Sequence, residues 1–341
     1  MVTRTIPHWY GLYFGADPEL FISREVGKVR KGKAIIGSEL VVPAKGLSSG
    51  SGSVARDGVQ VELHPSPSTC RASFSAYLQS TIVLLDKAVK TANKQGVGVN
   101  PMKIDFTQLV KVTKGDLAKL TPDSRRLGCM PSFNAYGRKQ IDKNGETFLT
   151  RSAAGHLHFG TPAISQEHVD PKVYAKVCDM IIGNTCVMVD RSPFAAERRR
   201  VYGKAGEYRL PKHGIEYRTL SNFWLHNYVL MSMVFGLART AHDVACTTTK
   251  FIPPFAKPND PNSISNAADL LMKDVDQAAV ERAINTNDWE LARENYEKWL
   301  KPFLLQVTYG GNIGVDALLV KDFDFFLDRF GEPSCLVLRI R

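Results

Sequence analysis

Apolar and polar residues alternate with a period of two in several separated stretches of this chain. That is the period of a β-strand, in which residues i and i+2 share a face. The alternation predicts strands over Gly11–Ser23, Val59–His64, Ala154–Gly160, Glu207–Arg209 and Gly214–Leu220. A further strand, Ala34–Pro43, forms a hairpin with the first across the basic turn Lys28–Lys33. Elsewhere the period is near 3.6. After Ser66-Pro67-Ser68, the residues Phe74, Leu78, Ile82, Leu85 and Val89 fall on one side of a helix that ends near Gly96. Asp170-Pro171 starts a second helix, through about Asp190, and Leu225–Val244 is an apolar helix. Residues 264–305 read as helical, with an acidic amphipathic stretch over Glu281–Trp299, and the C-terminus as helix and then a short strand, Leu336–Ile340. Residues 97–150 mix strand and turn signals. The Gly/Ser-rich segment 44–55 reads as a flexible loop, a lid or a plain surface loop, and 191–206 as a basic loop. Residues 253–262, rich in proline, read as a linker or surface loop.

Strands occur in hairpins and singly, helices vary in length, and no internal repeat is present. The expected class is α+β, built on an antiparallel sheet rather than on regular βαβ units. The chain has 341 residues, 44% of them hydrophobic and 23% charged, enough for a packed core in one large domain or two average ones. The longest apolar run, near Val229–Ala238, is broken by Ser and Gly, so no membrane span is expected. The N-terminus has no signal-like apolar region, and the six cysteines form no Cys-x-x-Cys pair. Reduced thiols in a cytoplasmic compartment are the simplest expectation. A net charge of +10 favours an anionic partner. There is no long basic tail, so dedicated nucleic-acid binding is the weaker alternative.

The strand period also places the chemistry. Glu207 and Arg209 share one face, and Glu216 and Arg218 another, and unlike charges side by side suit a site that holds a cation and an anion together. Asp17-Pro18-Glu19 and Gln60-Val61-Glu62-Leu63-His64 present carboxylates and an imidazole in the same way, and His156-Leu157-His158 presents two imidazoles. Glu19, Glu62, His156 and Glu216 are the candidate metal ligands, because Mg²⁺ and Mn²⁺ take oxygen donors and Mn²⁺ also takes imidazole. His156-x-His158 alone would also suit zinc, but no third ligand stands out. Arg198, Arg199, Arg200, Lys204, Arg209 and Arg218 concentrate positive charge that matches phosphate or carboxylate oxygens. The loop at 46–52 lacks the Lys-Ser/Thr ending of a Walker loop.

In their order, Gly15-Ala16-Asp17-Pro18-Glu19, Asp57-Gly58-Val59-Gln60-Val61-Glu62, Gly155-His156-Leu157-His158-Phe159-Gly160 and Gly214-Ile215-Glu216-Tyr217-Arg218 resemble the motifs of the glutamine synthetase superfamily, which includes glutamate–cysteine ligases. The likeness is to its phage-encoded carboxylate–amine ligases of type 2, over about residues 11–225. The resemblance implies a curved antiparallel sheet with helices on its outer face, like a glutamine synthetase catalytic domain over residues 1–250, with 251–341 as a mainly helical extension. It implies ATP and Mg²⁺ or Mn²⁺ as cofactors, and an acid and an amine as substrates joined through an acyl phosphate. Glu19, Glu62, His156 and Glu216 would hold metal and His158 would lie beside substrate. Arg218 and Arg200 would act on the transferring phosphate, and Arg209, Lys204 and Arg198 would contact the nucleotide. Two other readings stand beside it: a phosphotransferase on the scaffold related to guanidino kinases, and a non-enzymatic basic protein that binds nucleic acid or a virion surface.

Overall fold

Proline at position 18 divides the first expected strand. Pro has no backbone N–H to give to a ladder, so strands seldom run through it. In the computed structural model, which describes residues 12–26, 32–96, 100–125, 132–138, 149–165, 169–246 and 267–304, the chain forms β1 (Tyr13–Ala16), crosses Asp17-Pro18, and continues as β2 (Glu19–Val26) in a different sheet. There follow β3 (Gly32–Ile36), β4 (Leu47–Ser49), β5 (Gly52–Asp57), β6 (Gln60–Pro65), β7 (Met102–Asp105), β8 (Leu109–Lys111), β9 (Phe133–Asn134), β10 (Thr150–Ser152), β11 (Leu157–Gly160), β12 (Glu207–Arg209) and β13 (Gly214–Tyr217).

Every strand pairing among the described residues is antiparallel. One sheet has the order β1-β11-β13-β12-β9, the other β3-β2-β6-β5-β4 with β7 also on β2, and β8 pairs β10 apart from both. With the helices, this is the expected α+β class. The two sheets join at Asp17-Pro18, where the Pro18 carbonyl accepts from the Leu63 amide at 2.9 Å.

The core forms between the sheets and the long helices. Phe14 of β1 meets Phe74 of helix Arg71–Lys94 at 4.7 Å, Phe235 of helix Tyr228–Cys246 at 5.1 Å and Phe159 of β11 at 5.9 Å between ring centroids. Phe74, Leu78, Leu85 and Val89 are buried as their spacing predicts. The helix starts at Arg71 rather than at Ser66, because Ser68 pairs its backbone with Phe14. The helix expected over Leu225–Val244 runs over Tyr228–Cys246, long and apolar enough by itself to cross a membrane. Most of it is buried against its neighbours.

Three further expectations are corrected. The segment 44–55 is not a structureless loop. β4 and β5 form a hairpin, Leu47↔Val54 and Ser48↔Ser53, around a turn at Gly50-Ser51. Its glycine content serves close approach: at Gly52, with φ +144°, a Cβ would lie 2.3 Å from the His64 carbonyl oxygen. The basic loop 191–206 contains the helix Ala195–Val201, since Ala and Arg are strong helix formers and no Gly intervenes before Gly203. The second strand ends at Ile36, followed by a tight helical turn at Ser38–Leu40. The expected linker 253–262, strand Leu336–Ile340 and most of the turn Lys28–Lys33 lie outside the described residues.

The helix that begins at Pro171, capped by Asp170, widens to a π turn over Asp179–Gly183 and resumes as Asn184–Val189. Gly183 makes room for the Tyr217 hydroxyl, which a Cβ there would meet at 2.5 Å. That hydroxyl donates to Asp179 at 2.6 Å. One turn on, Asn184 donates to the Ala292 carbonyl at 2.8 Å and accepts from Asn295 at 3.0 Å, fastening the helices after residue 267 to this one.

Burial pushes the Asp179 carboxyl up to about 7 despite the Tyr217 hydrogen bond. The folded protein therefore keeps this proton where an unfolded Asp, near 3.9, has lost it. The stability so contributed is complete below about pH 4 and is lost as pH rises through about 7. Asp179→Asn removes the ionisation and keeps an acceptor for Tyr217. We expect its melting temperature to fall less than the wild type's between pH 5 and 8, with a difference of at most roughly 4 kcal/mol in stability at the upper end. Parallel melting curves across that range would show that Asp179 does not titrate there.

Candidate active site

Strand register builds one wall of the site. Gly15 of β1 lies opposite His158 of β11, His158 opposite Glu216 of β13, and Glu216 opposite Arg209 of β12. Residues directly opposite one another point to the same face, so a single row crosses four strands. Two residues along, Asp17, His156 and Arg218 extend the same face beyond the strand ends. The two Glu-x-Arg pairs thus share one face of one sheet, not two faces. The other sheet supplies the facing wall. Glu19 lies opposite Glu62, and Asp57 opposite Gln60, all on the side that holds His64.

Between these walls is an open cavity of about 590 Å³, lined by Asp17, Glu19, Asp57, Glu62, His64, His156, His158, Arg209, His213 and Arg218 among others. Its polar groups are held in chains. Asp17 meets His156 Nδ1 and His158 Nε2, each at 3.1 Å. The other nitrogen of His156 is 2.8 Å from the Tyr202 hydroxyl, and the other nitrogen of His158 is 3.0 Å from His213. Glu216 takes a two-pronged contact from Arg209, both distances 2.7 Å, and lies 3.1 Å from Arg218 Nε. Arg218 also donates to the Tyr202 and Ser132 hydroxyls. Glu19 is buried, and its carboxylate accepts from the Ala154 amide at 2.8 Å. The Ala154 carbonyl in turn accepts from the Glu19 amide at 2.8 Å. Next to it, Gly155 has no room for a side chain, since a Cβ would lie 2.4 Å from the Ser221 carbonyl oxygen.

The electrostatics divide the carboxylates. Burial and the charges of Asp57 and Glu62 push Glu19 well above the usual carboxylate range. Burial and Glu62 raise Asp57, and burial raises Glu62 against the opposing hydrogen bond from His64 at 3.0 Å. Asp17 behaves oppositely: burial would raise it, but His156 and His158 outweigh burial and hold it well below that range. Burial lowers His156, while Asp17 overcomes burial at His158 and raises it. One wall is thus a set of mutually repelling acids with His64 beside Glu62, and the other a set of paired acids, imidazoles and guanidinium groups.

Of the residues expected from sequence, Glu19, Glu62, His156, His158, Arg209 and Arg218 line this cavity. Glu216 lies directly behind them, held by its two arginines. With Asp17 and His158 it forms a group whose potential ligand atoms all lie within 4.8 Å of one another. Arg198, Arg200 and Lys204 are not brought to the cavity. Arg198 is buried and donates to the carbonyls of Thr219 and Leu220, at 3.1 and 2.8 Å. Arg199 donates to Gly203 and Thr219. Arg200 is exposed on the helix surface, and the Lys204 carbonyl accepts from Thr219. An Arg run on a helix spreads its members around the axis, so three neighbours cannot share one face.

Asp17, Asp57, His64 and His213 lie in the site but were given no role from sequence, and Tyr202 was not singled out as a site residue. Asp17 stands two residues before Glu19, and Asp57 ends β5 three residues before the start of the Glu62 strand. Both signals were present. His213 and Tyr202 come from turns, where no period betrays direction.

This arrangement goes with a match to a family of carbon–nitrogen ligases, over residues 144–257. The family is described as phage phiEco32-like COOH.NH2 ligase, type 2, and the match supports the family that the ordered motifs suggest. It spans His156, His158, Arg209, Glu216 and Arg218, whereas Asp17, Glu19, Asp57 and Glu62 lie outside it. No curated protein matches the chain.

Tyr202 joins His156 to Arg218 through one hydroxyl, with its ring 5.3 Å from the Arg218 guanidinium. Tyr202→Phe keeps the ring and removes the joint. A hydrogen bond to a charged group contributes about 1.5–3 kcal/mol. The variant is expected to lose that much stability in denaturant unfolding, with an unchanged m-value. A loss below about 0.5 kcal/mol would show that the hydroxyl is not what holds Arg218.

Proposed function

We propose that the protein is an ATP-dependent carboxylate–amine ligase of the glutamine synthetase-like kind, working through an acyl phosphate. The observation that carries the reading is the cavity in which Glu19, Asp57 and Glu62 of one wall face Asp17, Arg209 and Arg218 of the other. Three of the four acids, Glu19, Asp57 and Glu62, are raised, by burial first and then by neighbouring carboxylates. Buried acids in that state fit a hard divalent cation, whose charge removes the repulsion and whose preferred donors are carboxylate oxygens. Asp17, Glu19, Asp57 and Glu62 would hold Mg²⁺ or Mn²⁺. His156 is the weaker ligand of the original set, because both its ring nitrogens already have partners. Bound there, the cation would neutralise charge on phosphate oxygens.

The remaining roles fall to the protein's own groups. Arg209, partly exposed at the cavity, is placed to bind phosphate or carboxylate oxygens, and Arg218 is fixed beside it by Glu216 and Tyr202. A carboxylate oxygen of the acid substrate attacks the γ-phosphorus and ADP leaves. The amine nitrogen then attacks the acyl carbon, phosphate leaves, and the amine's proton is released.

The deciding experiment supplies ATP, Mg²⁺ and pooled acids and amines, with ¹⁸O in the acid carboxyl groups. The expected products are an amide, ADP and phosphate carrying one ¹⁸O. A stable phosphorylated acid would instead support a phosphotransferase, and no ATP turnover with any acid or amine would remove the enzymatic reading.

Two variants give further expected outcomes. Asp57→Asn relieves repulsion in the metal-free protein, so it should melt at a higher temperature than wild type without Mg²⁺ and gain less when Mg²⁺ is added. A tenfold weaker dissociation constant corresponds to about 1.4 kcal/mol of lost cation stabilisation. An undiminished Mg²⁺ shift would place the cation elsewhere. Arg218→Lys keeps the charge and loses the planar fork. Loss of such a contact to the transferring phosphate is expected to lower kcat by a factor of about 100 or more, roughly 3 kcal/mol. Near-normal turnover by a correctly folded Lys variant would take Arg218 out of the chemistry.

A further inference from the structure

An amide, Gln60, stands among the acids of the second sheet. It lies opposite Asp57 on β5 and opposite Phe21 on β2, two residues before Glu62. It is buried, and it lies behind the cavity lining rather than in it. Its Nε2 donates to the Ser152 carbonyl at 3.0 Å and to Glu19 Oε2 at 3.4 Å. A carbonyl and a carboxylate only accept, so the nitrogen of this amide, not its oxygen, must face them.

Glu19 Oε2 also accepts from the Ala154 amide at 2.8 Å. A carboxylate oxygen has about two lone-pair sites. On Oε2 both are taken, one by fixed backbone and one by Gln60. Oε1 is the oxygen left for a cation, so Glu19 offers one oxygen rather than two. The neighbouring acids are restrained alike. Glu62 Oε2 meets His64 at 3.0 Å, and the two oxygens of Asp17 each meet an imidazole at 3.1 Å.

The number of oxygens per acid bears on which cation fits. Mg²⁺ demands a near-ideal octahedron at about 2.0–2.1 Å, whereas Ca²⁺ takes about 6–8 oxygens at roughly 2.3–2.6 Å and accepts both oxygens of one carboxylate. Acids held to one oxygen suit the smaller ion and withhold the extra donors that the larger one uses.

We propose that Gln60 sets the cation selectivity of the first cavity, favouring Mg²⁺ over Ca²⁺ by holding Glu19 to a single oxygen. The inference rests on the cation reading of that cavity. Without the Gln60 donor, a lone-pair site opens on Oε2, Glu19 turns both oxygens to the ion, and Ca²⁺ gains. Gln60 itself touches neither cation nor substrate. It is a positioning residue that acts through Glu19.

Isothermal titration of the full-length protein with MgCl₂ and with CaCl₂, without nucleotide, tests it. The readout is the ratio of the two dissociation constants, which a general loosening of the fold would not move. The wild type is expected to bind Mg²⁺ at least as tightly as Ca²⁺. Gln60→Met, similar in length but with no donor, should shift the ratio at least tenfold toward Ca²⁺. Gln60→Asn keeps the amide but falls one methylene short of Glu19, and should shift the ratio in the same direction. It decides the matter if the Met variant does not fold. A wild type that binds neither cation would remove the cation reading and this inference with it. A wild type that binds Mg²⁺ but prefers Ca²⁺, or a ratio that stays put in the folded variants, would overturn this inference alone.

Discussion

Buried like charges at the junction of two sheets set the terms for the rest of this molecule. Asp17-Pro18-Glu19 is the place where the chain leaves one sheet and enters the other, and it brings carboxylates from both into one cavity. Glu19 sits directly opposite Glu62, a pairing that a sheet selected for stability alone would avoid. Such a pair persists only if its surroundings over-determine it. Here they do. Ala154 binds Glu19 through both its amide and its carbonyl, and the Asn222 side chain holds the Glu19 carbonyl at 2.9 Å.

The opposite wall is stabilised in another way. Its charges are compensated in place, each acid by an imidazole or a guanidinium. Behind it, two arginines that carry no visible chemistry hold the backbone. Arg198 and Arg199 cap the carbonyls of Thr219 and Leu220, immediately after Arg218. They lie too deep to touch a ligand, yet they fix the segment from which Arg218 projects. A wall whose charges are paired thus faces one whose acids repel one another, with His64 against Glu62 as the compensating group there.

Much of this was legible in the sequence because strands advertise direction. The period of two showed which of Glu19, Glu62, His156, His158, Arg209, Glu216 and Arg218 share a strand face, and the order of the motifs, through the family they resemble, implied that they share a site. It failed where direction is set by turns or by a neighbour's register. His213 reaches the site from a β-turn, and Tyr202 from the end of a short helix. Whether Glu-x-Arg pairs on two strands face the same way depends on register, which neither strand encodes alone. The arginine run was misjudged because a composition rich in charge resembles a loop, whereas a helix disperses the same charges. The Gly/Ser segment was misjudged because small residues suit a crowded hairpin as well as a flexible chain. In both cases the deciding contact comes from a residue distant in sequence: Thr219 and Leu220 for the arginines, His64 for Gly52.

The π turn at Asp179–Gly183 has a consequence for how this chain tolerates change in length. Such a turn amounts to one residue inserted into a regular helix. Each residue of an α-helix turns the next by about 100°. Loss of a single residue there would restore the regular helix and rotate Asn184–Val189 by about that angle. Asn184 would swing away from Ala292 and Asn295, and the space beside Tyr217 would close. The phasing of that helix against its neighbours thus rests on one surplus residue, so a one-residue deletion in this stretch is a change of packing partners rather than a shortening.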